Sequence, residues 1–570
     1  MTLRRPWSYP RAAAAAALAA MLALAAAQPF GGAAAPRATS TSTSTSTATV
    51  SRAAATGRLL VRVIVQGSTP GSRAAERAVG RAGGRISRRL PLVNGVAATV
   101  PAAALPALVS TPGVAAVTPD RRVHVQAAQT SGTSGNSVQS VYPTVVRATD
   151  VWRAGDTGAG VTVAIVDTGV SAVHDLQGRI VRVSDDRTGQ SAACVNLSGE
   201  STCDDSYGHG TFIAGIIAGN GTDSNGRWKG VAPATRILSV KIAGRDGAAD
   251  VSNVLAAIQW VVSFGQRYDI RVLNLSLGTD SAQPYTRDPL NYAVERAWAA
   301  GIAVVVSASN RGPGPRTISK PGDDPFVVTV GAMDDEGSRI DNDDVLPDFT
   351  SRGPTLADGI AKPDVSTPGA HIVSLRAPGS QIDTLFPYYV DGQYRRGSGT
   401  SMAAGVASGV AALVLSANPT MTPDRLKYAL VHTTQPTVST DPNAVGAGLL
   451  DAYAATYAAP PGTANQGLTR SSGLGGISDS RGTVRTATTD PDLLGVLING
   501  LLTAQLLVWD PVGYTTGQWN TSTWYLTTWY LSRWYQLGWY GTDWPGNNWR
   551  NDKYWYGTPW KGGAWWGAWE

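Results

Sequence analysis

The hydrophobic positions along this chain change rhythm several times, and each change predicts an element. Residues 161–166 are a short, mostly β-branched apolar run, which predicts a strand buried on both faces, as in a parallel sheet. Residues 211–219 and 402–415 are apolar or small on every side, which predicts helices threaded through a core. Residues 57–126 follow another pattern. Strands are predicted at 59–65, 86–92, 96–100 and 114–117. A helix over 72–81, with Ser72 as its cap and Gly83 and Gly84 as its end, separates the first two strands. A second helix over 101–109, opened by Pro101, precedes the last. The order β-α-β-β-α-β is that of a ferredoxin-like unit.

The two ends of the chain follow neither pattern. Residues 12–27 are an alanine-rich apolar stretch after Arg4, Arg5 and Arg11, so 1–27 reads as a secretory signal peptide cleaved after a run of small residues. The stretch is too short and too rich in alanine to favour a retained anchor. Residues 28–56, with their Ser/Thr alternation, read as a linker, and so do the Gly-, Ser- and Thr-rich residues 460–492. Residues 493–508 are apolar but interrupted by Asn499, Thr503 and Gln505, which favours a packed or surface-lying helix over a membrane span. The rest of the 493–570 tail is a pentad repeat. Trp519, Trp524, Trp529, Trp534, Trp539, Trp544 and Trp549 recur every five residues, and Trp555, Trp560 and Trp565 resume the period after one slip. The tryptophans are expected to form the core of their own array. The alternative is a ladder of aromatic faces that contacts glycans or the cell envelope.

Three short motifs carry the chemistry. Asp167-Thr168-Gly169 follows the 161–166 strand, where open α/β sheets place their sites. Gly208-His209-Gly210-Thr211 opens one apolar helix, and Gly399-Thr400-Ser401-Met402 opens the other. Alone, each has a bland reading: a turn, a helix start and a cap. Together they supply a carboxylate, an imidazole and a hydroxyl. A serine hydroxyl needs a base to take its proton, and the base needs an acid to hold its tautomer.

On these motifs, over roughly residues 142–459, the chain resembles the subtilisin family of serine proteases, which shares the order Asp, His, Ser. Further landmarks of that family stand in order at 230–233, 238–241, 274–278, 349–354, 362–369 and 446–451. The resemblance implies a three-layer α/β fold with a mostly parallel central sheet. It implies a catalytic set of Asp167, His209 and Ser401, with Asn310 as an oxyanion donor beside the Ser401 N–H. It also implies substrate contacts from Ser276, Leu277 and Gly278, which would pair with an extended peptide, and from Ser307, Ala308 and Ser309. Ser309 stands where the family usually has glycine. Residues 57–126 resemble the family's propeptide, including 113–120, which implies a folding aid and inhibitor that is later removed. Family members often bind calcium; no cofactor is needed for the chemistry, and no metal site is assigned, since Asp223-Ser224-Asn225 is too weak a signal.

The remaining signals narrow this reading. His124 falls in the propeptide tail, His174 reads as structural, and His371 and His432 lie in no motif. Cys194 and Cys203, nine apart in a chain read as secreted, are expected to form a disulfide pinning the loop before His209. The formal charge is +6, but residues 1–125 carry +13, which leaves −7 for the rest. The basic balance therefore gives no argument for a nucleic-acid partner. It suggests a positive propeptide held partly by charge, whose release salt should speed. The function that emerges is a secreted, self-processed serine endopeptidase acting on polypeptides, with the tail as the candidate for cell-envelope or glycan contact. The alternative is a catalytically silent scaffold displaying that tail, which four filled catalytic positions disfavour.

Overall fold

The computed structural model describes residues 60–125, 140–184, 190–279, 281–339, 343–387 and 392–476. The chain divides into two compact units, Met1–Thr56 and Gly57–Glu570, and every described residue belongs to the second. The signal peptide, the Ser/Thr linker, residues 493–508 and the tryptophan repeat lie outside the described residues.

The N-terminal part comprises β1 (Leu60–Gly67), α1 (Ala74–Arg81), β2 (Arg85–Leu90), β3 (Gly95–Pro101), α2 (Leu105–Val109) and β4 (Val114–Pro119). Its sheet order is β2-β3-β1-β4, with antiparallel neighbours. Alternation divides its two faces. Val61, Val63, Val65, Val96, Ala98 and Val100 form a small core with α1 and α2. Ile64 and Ala97, on the other face, join the larger core of the following residues.

Several boundaries differ from the sequence expectation. The first helix starts at Ala74 without a side-chain cap; Ser72 instead sits in a turn, its N–H donating to Thr69 O at 3.1 Å. The second strand stops at Leu90 because Pro91 cannot donate to the ladder, and Pro91–Val93 forms a 3₁₀ turn. Pro101 closes β3 rather than opening a helix, which is α-helical only from Leu105.

The larger body is built on β6 (Thr162–Asp167), β7 (Cys194–Asn196), β8 (Arg236–Lys241), β10 (Ile270–Leu275), β12 (Ala303–Ser307), β13 (Val328–Met333) and β14 (Val365–Pro368). They form one sheet in the order β14-β13-β12-β10-β6-β8-β7, parallel throughout. Every residue of β6 is buried, as its unbroken run predicts. One helix pair packing on this sheet is α3 (His209–Ala218) with α6 (Thr400–Ala417); another is α4 (Val251–Phe264) with α5 (Pro289–Ala299). The α6 helix is long and apolar enough to cross a membrane, yet 89% of it is buried inside the protein, as a core helix is. Its small residues permit this: a Cβ at Gly409 would lie 2.5 Å from Val231 Cβ.

Two features were not foreseen. A strand β5 (Arg122–Val125) leaves the N-terminal sheet and lies between β9 (Ala248–Asp250) and β11 (Leu277–Gly278), antiparallel to both. And the described part of the expected 460–492 linker, 460–476, is packed rather than free. Ala464 N–H donates to Asp424 O at 3.0 Å, Ser472 N–H to Thr286 O at 2.7 Å, and Tyr285 Oη to Thr469 O at 3.0 Å. Its end meets the N-terminal sheet, where Thr118 Oγ1 donates to Gly475 O at 2.7 Å. A sequence poor in apolar side chains docks here through its backbone polar groups.

Candidate active site

The site lies at the carboxyl end of β6. The β8–β6 register sets Lys241 opposite Asp167, the last residue of each strand. Lys241 is fully buried and spends its ammonium on Thr168 O at 2.8 Å, Asp204 O at 2.5 Å and Glu200 at 3.0 Å. It thereby fixes the turn after Asp167 to the loop before His209. The Cys194–Cys203 disulfide, with its Cα atoms 5.6 Å apart, closes the same loop. Cys203 O lies where a Cβ on Gly169 would come within 2.8 Å. Gly169, at φ +112°, is therefore required both by its conformation and by this approach.

His209 opens α3 and is completely buried, with Nδ1 2.9 Å from both oxygens of Asp167. A carboxylate only accepts, so the proton belongs on Nδ1 and Nε2 is left as the base. Gly210 makes this approach possible, because a Cβ there would sit 2.1 Å from Gly169 O. Asp205, which sequence reasoning passed over, anchors the helix start. It accepts from Gly208 N–H and Thr211 N–H, each at 2.7 Å, and from Thr168 Oγ1 at 2.7 Å. Thr168 Oγ1 in turn accepts from Gly210 N–H at 3.0 Å, so one hydroxyl ties both motifs together. Burial raises the Asp205 carboxyl above its ordinary value, and the three hydrogen bonds oppose it. An aspartate just ahead of a helix start was the available signal.

Ser401 lies in the first turn of α6, also buried. Its Oγ donates to Ser276 O at 3.1 Å, and Ser276 Oγ donates to Ser401 O at 3.0 Å. Asn310 stands beside the same turn. Its Oδ1 accepts from Thr400 N–H at 2.8 Å and Thr400 Oγ1 at 2.9 Å, which aims Nδ2 away from them. That Nδ2 is buried and, among the described residues, has no hydrogen-bond partner. Such a donor costs free energy unless something accepts from it.

The remaining predicted residues lie on β11 and at the end of β12. Leu277 pairs with Val125 and Gly278 with His124. Ser307 ends β12, and Ala308 N–H donates to Val330 O at 3.0 Å. Ser309 keeps the backbone of the glycine it replaces, with φ +102°, at a cost of roughly 1–3 kcal/mol. Bonds on both sides hold it there: its N–H donates to Thr400 Oγ1 at 3.1 Å and its carbonyl accepts from Ser351 N–H at 2.9 Å.

Apart from His124 on β5, the other histidines make separate contacts. His174 Nδ1 is 2.6 Å from Asp223 Oδ1, which raises it above its ordinary value. His371 Nε2 is 3.4 Å from Asp334, and His432 stacks on Tyr428. Among the described residues, no group of three or more His, Cys, Asp or Glu is arranged to hold a metal ion. The site thus offers an acid-oriented imidazole, a serine hydroxyl at a helix start and, next to that serine in the chain of contacts, an amide donor, and such a set of groups can carry out acyl transfer.

Comparison with known proteins bears on the family of the chain. The profile of the subtilase family matches residues 158–471. Serine protease AprX of Bacillus subtilis (strain 168) is 41% identical over 302 residues, covering 52% of this chain and 66% of that protein. Subtilisin Savinase of Lederbergia lenta is 32% identical over 311 residues, covering 55% of this chain and 96% of that protein. The crystal structure of fervidolysin from Fervidobacterium pennivorans, a keratinolytic enzyme related to subtilisin, superposes with a TM-score of 0.53 at 22% identity. That match covers 71% of this chain and 62% of fervidolysin, and it bears on the fold alone. The chain thus spans just under two thirds of the length of AprX and of fervidolysin.

Proposed function

Because the chain belongs to the subtilase family, we propose that it is a serine endopeptidase acting through Ser401, His209 and Asp167. Ser401 Oγ attacks a peptide carbonyl carbon while its proton passes to His209 Nε2. Asp167 holds Nδ1–H and stabilises the imidazolium. Asn310 Nδ2 and the Ser401 N–H receive the oxyanion; its collapse expels the amine, which takes the proton from His209. Water then attacks the acyl-enzyme by the same route in reverse. The observation that carries this reading is His209 Nδ1 set between both oxygens of Asp167, together with Asn310 held to Thr400, next to Ser401, with its Nδ2 unbonded among the described residues.

Residues 57–126 act as an inhibitory propeptide. The support is β5, which fills the place of an extended substrate between β9 and β11. Antiparallel pairing of Val125 with Leu277 runs the chain on towards Ser276, whose carbonyl accepts from Ser401. Self-cleavage therefore falls after Val125 and before Ser140, whose Oγ accepts from Val373 N–H at 3.0 Å. The N-terminal signal sequence and the disulfide support secretion, and the tryptophan repeat is the candidate for glycan or envelope contact.

The test is the full chain carrying Ser401→Ala. It should keep residues 57–126 covalently attached, whereas the unmodified chain acquires a new N-terminus between 126 and 140 by mass spectrometry. Processing of purified Ser401→Ala protein would rule out self-cleavage. Failure of the processed protein to hydrolyse any peptide would rule out the endopeptidase.

A further inference from the structure

The outer end of the β5 groove is charged in a way that the reaction does not require. Along β5, Val123 and Val125 are buried, while Arg122 and His124 alternate to the other side. Arg122 Nη2 lies 3.8 Å from Asp246 Oδ2, and its Nη1 lies 3.8 Å from Asp250 Oδ1. A second propeptide arginine, Arg62 on β1, reaches Asp250 Oδ2 at 2.5 Å. Asp250 Oδ1 is buried and accepts no hydrogen bond from the described residues. Arg122, Asp246 and Asp250 border a cavity of about 450 Å³.

Its other charged groups are already engaged. Glu200 takes Lys241 at 3.0 Å and Arg245 N–H at 2.9 Å, while the Arg245 guanidinium reaches Gly379 O at 3.2 Å. Once residues 57–126 leave, Asp250 loses both of these guanidinium partners and Asp246 loses Arg122. Two carboxylates then flank the groove, three residues upstream of the position that pairs with Leu277. With Arg62 gone, both oxygens of Asp250 are open to a substrate guanidinium, which can bind a carboxylate in a two-pronged fashion.

We propose that Asp246 and Asp250 select substrates with arginine or lysine at the position Arg122 occupies, three residues before the one paired with Leu277. This inference rests on the endopeptidase reading. Because Asp246 is largely exposed, the preference is moderate and sensitive to salt.

The test uses processed enzyme obtained from the full chain and fluorogenic peptides with Arg, Lys, Ala or Glu scanned through each position before the cleaved bond. At one position kcat/KM for Arg should exceed that for Glu by about fivefold in low salt, and 1 M salt should erase most of the ratio. Asp246→Asn and Asp250→Asn should each move it towards one. Equal rates for Arg and Glu at every position in the unmodified enzyme would overturn the inference while leaving the endopeptidase intact. So would a ratio that persists in the double variant. No hydrolysis of any peptide would overturn the endopeptidase reading, and this inference with it. If Asp250→Asn fails to mature because Arg62 loses its partner, Asp246→Asn and the unmodified enzyme still decide the matter.

Discussion

The seven-stranded parallel sheet and the four-stranded antiparallel sheet bury their strands by different means. In the first, β6, β12, β13 and β14 are buried at every position, with helices of the same body packed on them. In the second, one face closes over Val61, Val63 and Val65, while the other depends on its neighbour through Ile64. Polar contacts frame that dependence: Arg62 with Asp250, Arg88 Nη2 with Asn253 Oδ1 at 3.2 Å, and Leu92 N–H with Gln259 Oε1 at 3.1 Å. A sheet covered by its own helices can hold a rigid site. A sheet that borrows half of its cover from a neighbour, through an interface rich in charge, is suited to leaving it. The contrast is the one that the proposed reading of residues 57–126 as a removable inhibitor calls for.

The largest effect expected from breaking this comparison lies in the parallel-sheet body. Asn310→Leu should lower kcat by about 10²–10³-fold with KM nearly unchanged, since in the proposed mechanism the amide acts only on the developing oxyanion. A change confined to KM would remove Asn310 from that role. An intermediate effect is expected at the borrowed face. After self-cleavage, Ile64→Ala should speed release of the N-terminal unit, read as the rate at which activity appears. In the unmodified protein, 0.5 M salt should speed it less, because the apolar face carries more of the hold than the screened ion pairs. Release faster in salt than in the variant would reverse that ranking.

The smallest effect concerns Glu295 on α5, which is 2% exposed and accepts from Ser471 N–H of the docked 460–476 segment at 2.8 Å and 3.0 Å. Burial pushes its carboxyl up to about 7, against the Ser471 bond and the charge of Arg470. A carboxyl raised in the folded state contributes stability that is fully present below its ordinary value and is lost as the pH rises through about 7. Glu295→Gln should therefore raise Tm by about 2 °C at pH 8 and leave it unchanged at pH 5. An equal shift at both pH values would show that folding does not raise the Glu295 carboxyl above its ordinary value.

Much of the site was legible because its signals are local. Asp167, His209 and Ser401 each end a strand or begin a helix within one short motif, and unbroken apolarity marks 161–166 and 402–415 without any knowledge of partners. Asn310 and the 277–278 strand were reached through resemblance rather than pattern. Asp205 was missed although its signal was local, because the adjacent histidine motif drew the reading. Ser72 was assigned a cap it does not form, since a turn to Thr69 competes for the same residues.

By itself, the sequence determined the elements whose cause lies within a few residues: the buried parallel strands, the small-residue helices and the motifs at their ends. Only the tertiary structure decided where β5 pairs, that 460–476 is docked, and that Asp250 faces two arginines from earlier in the chain. Those contacts join residues far apart in sequence through backbone edges and charge. A strand edge or an exposed carboxylate will accept many partners, so its own neighbours in the chain do not say which one the fold brings to it.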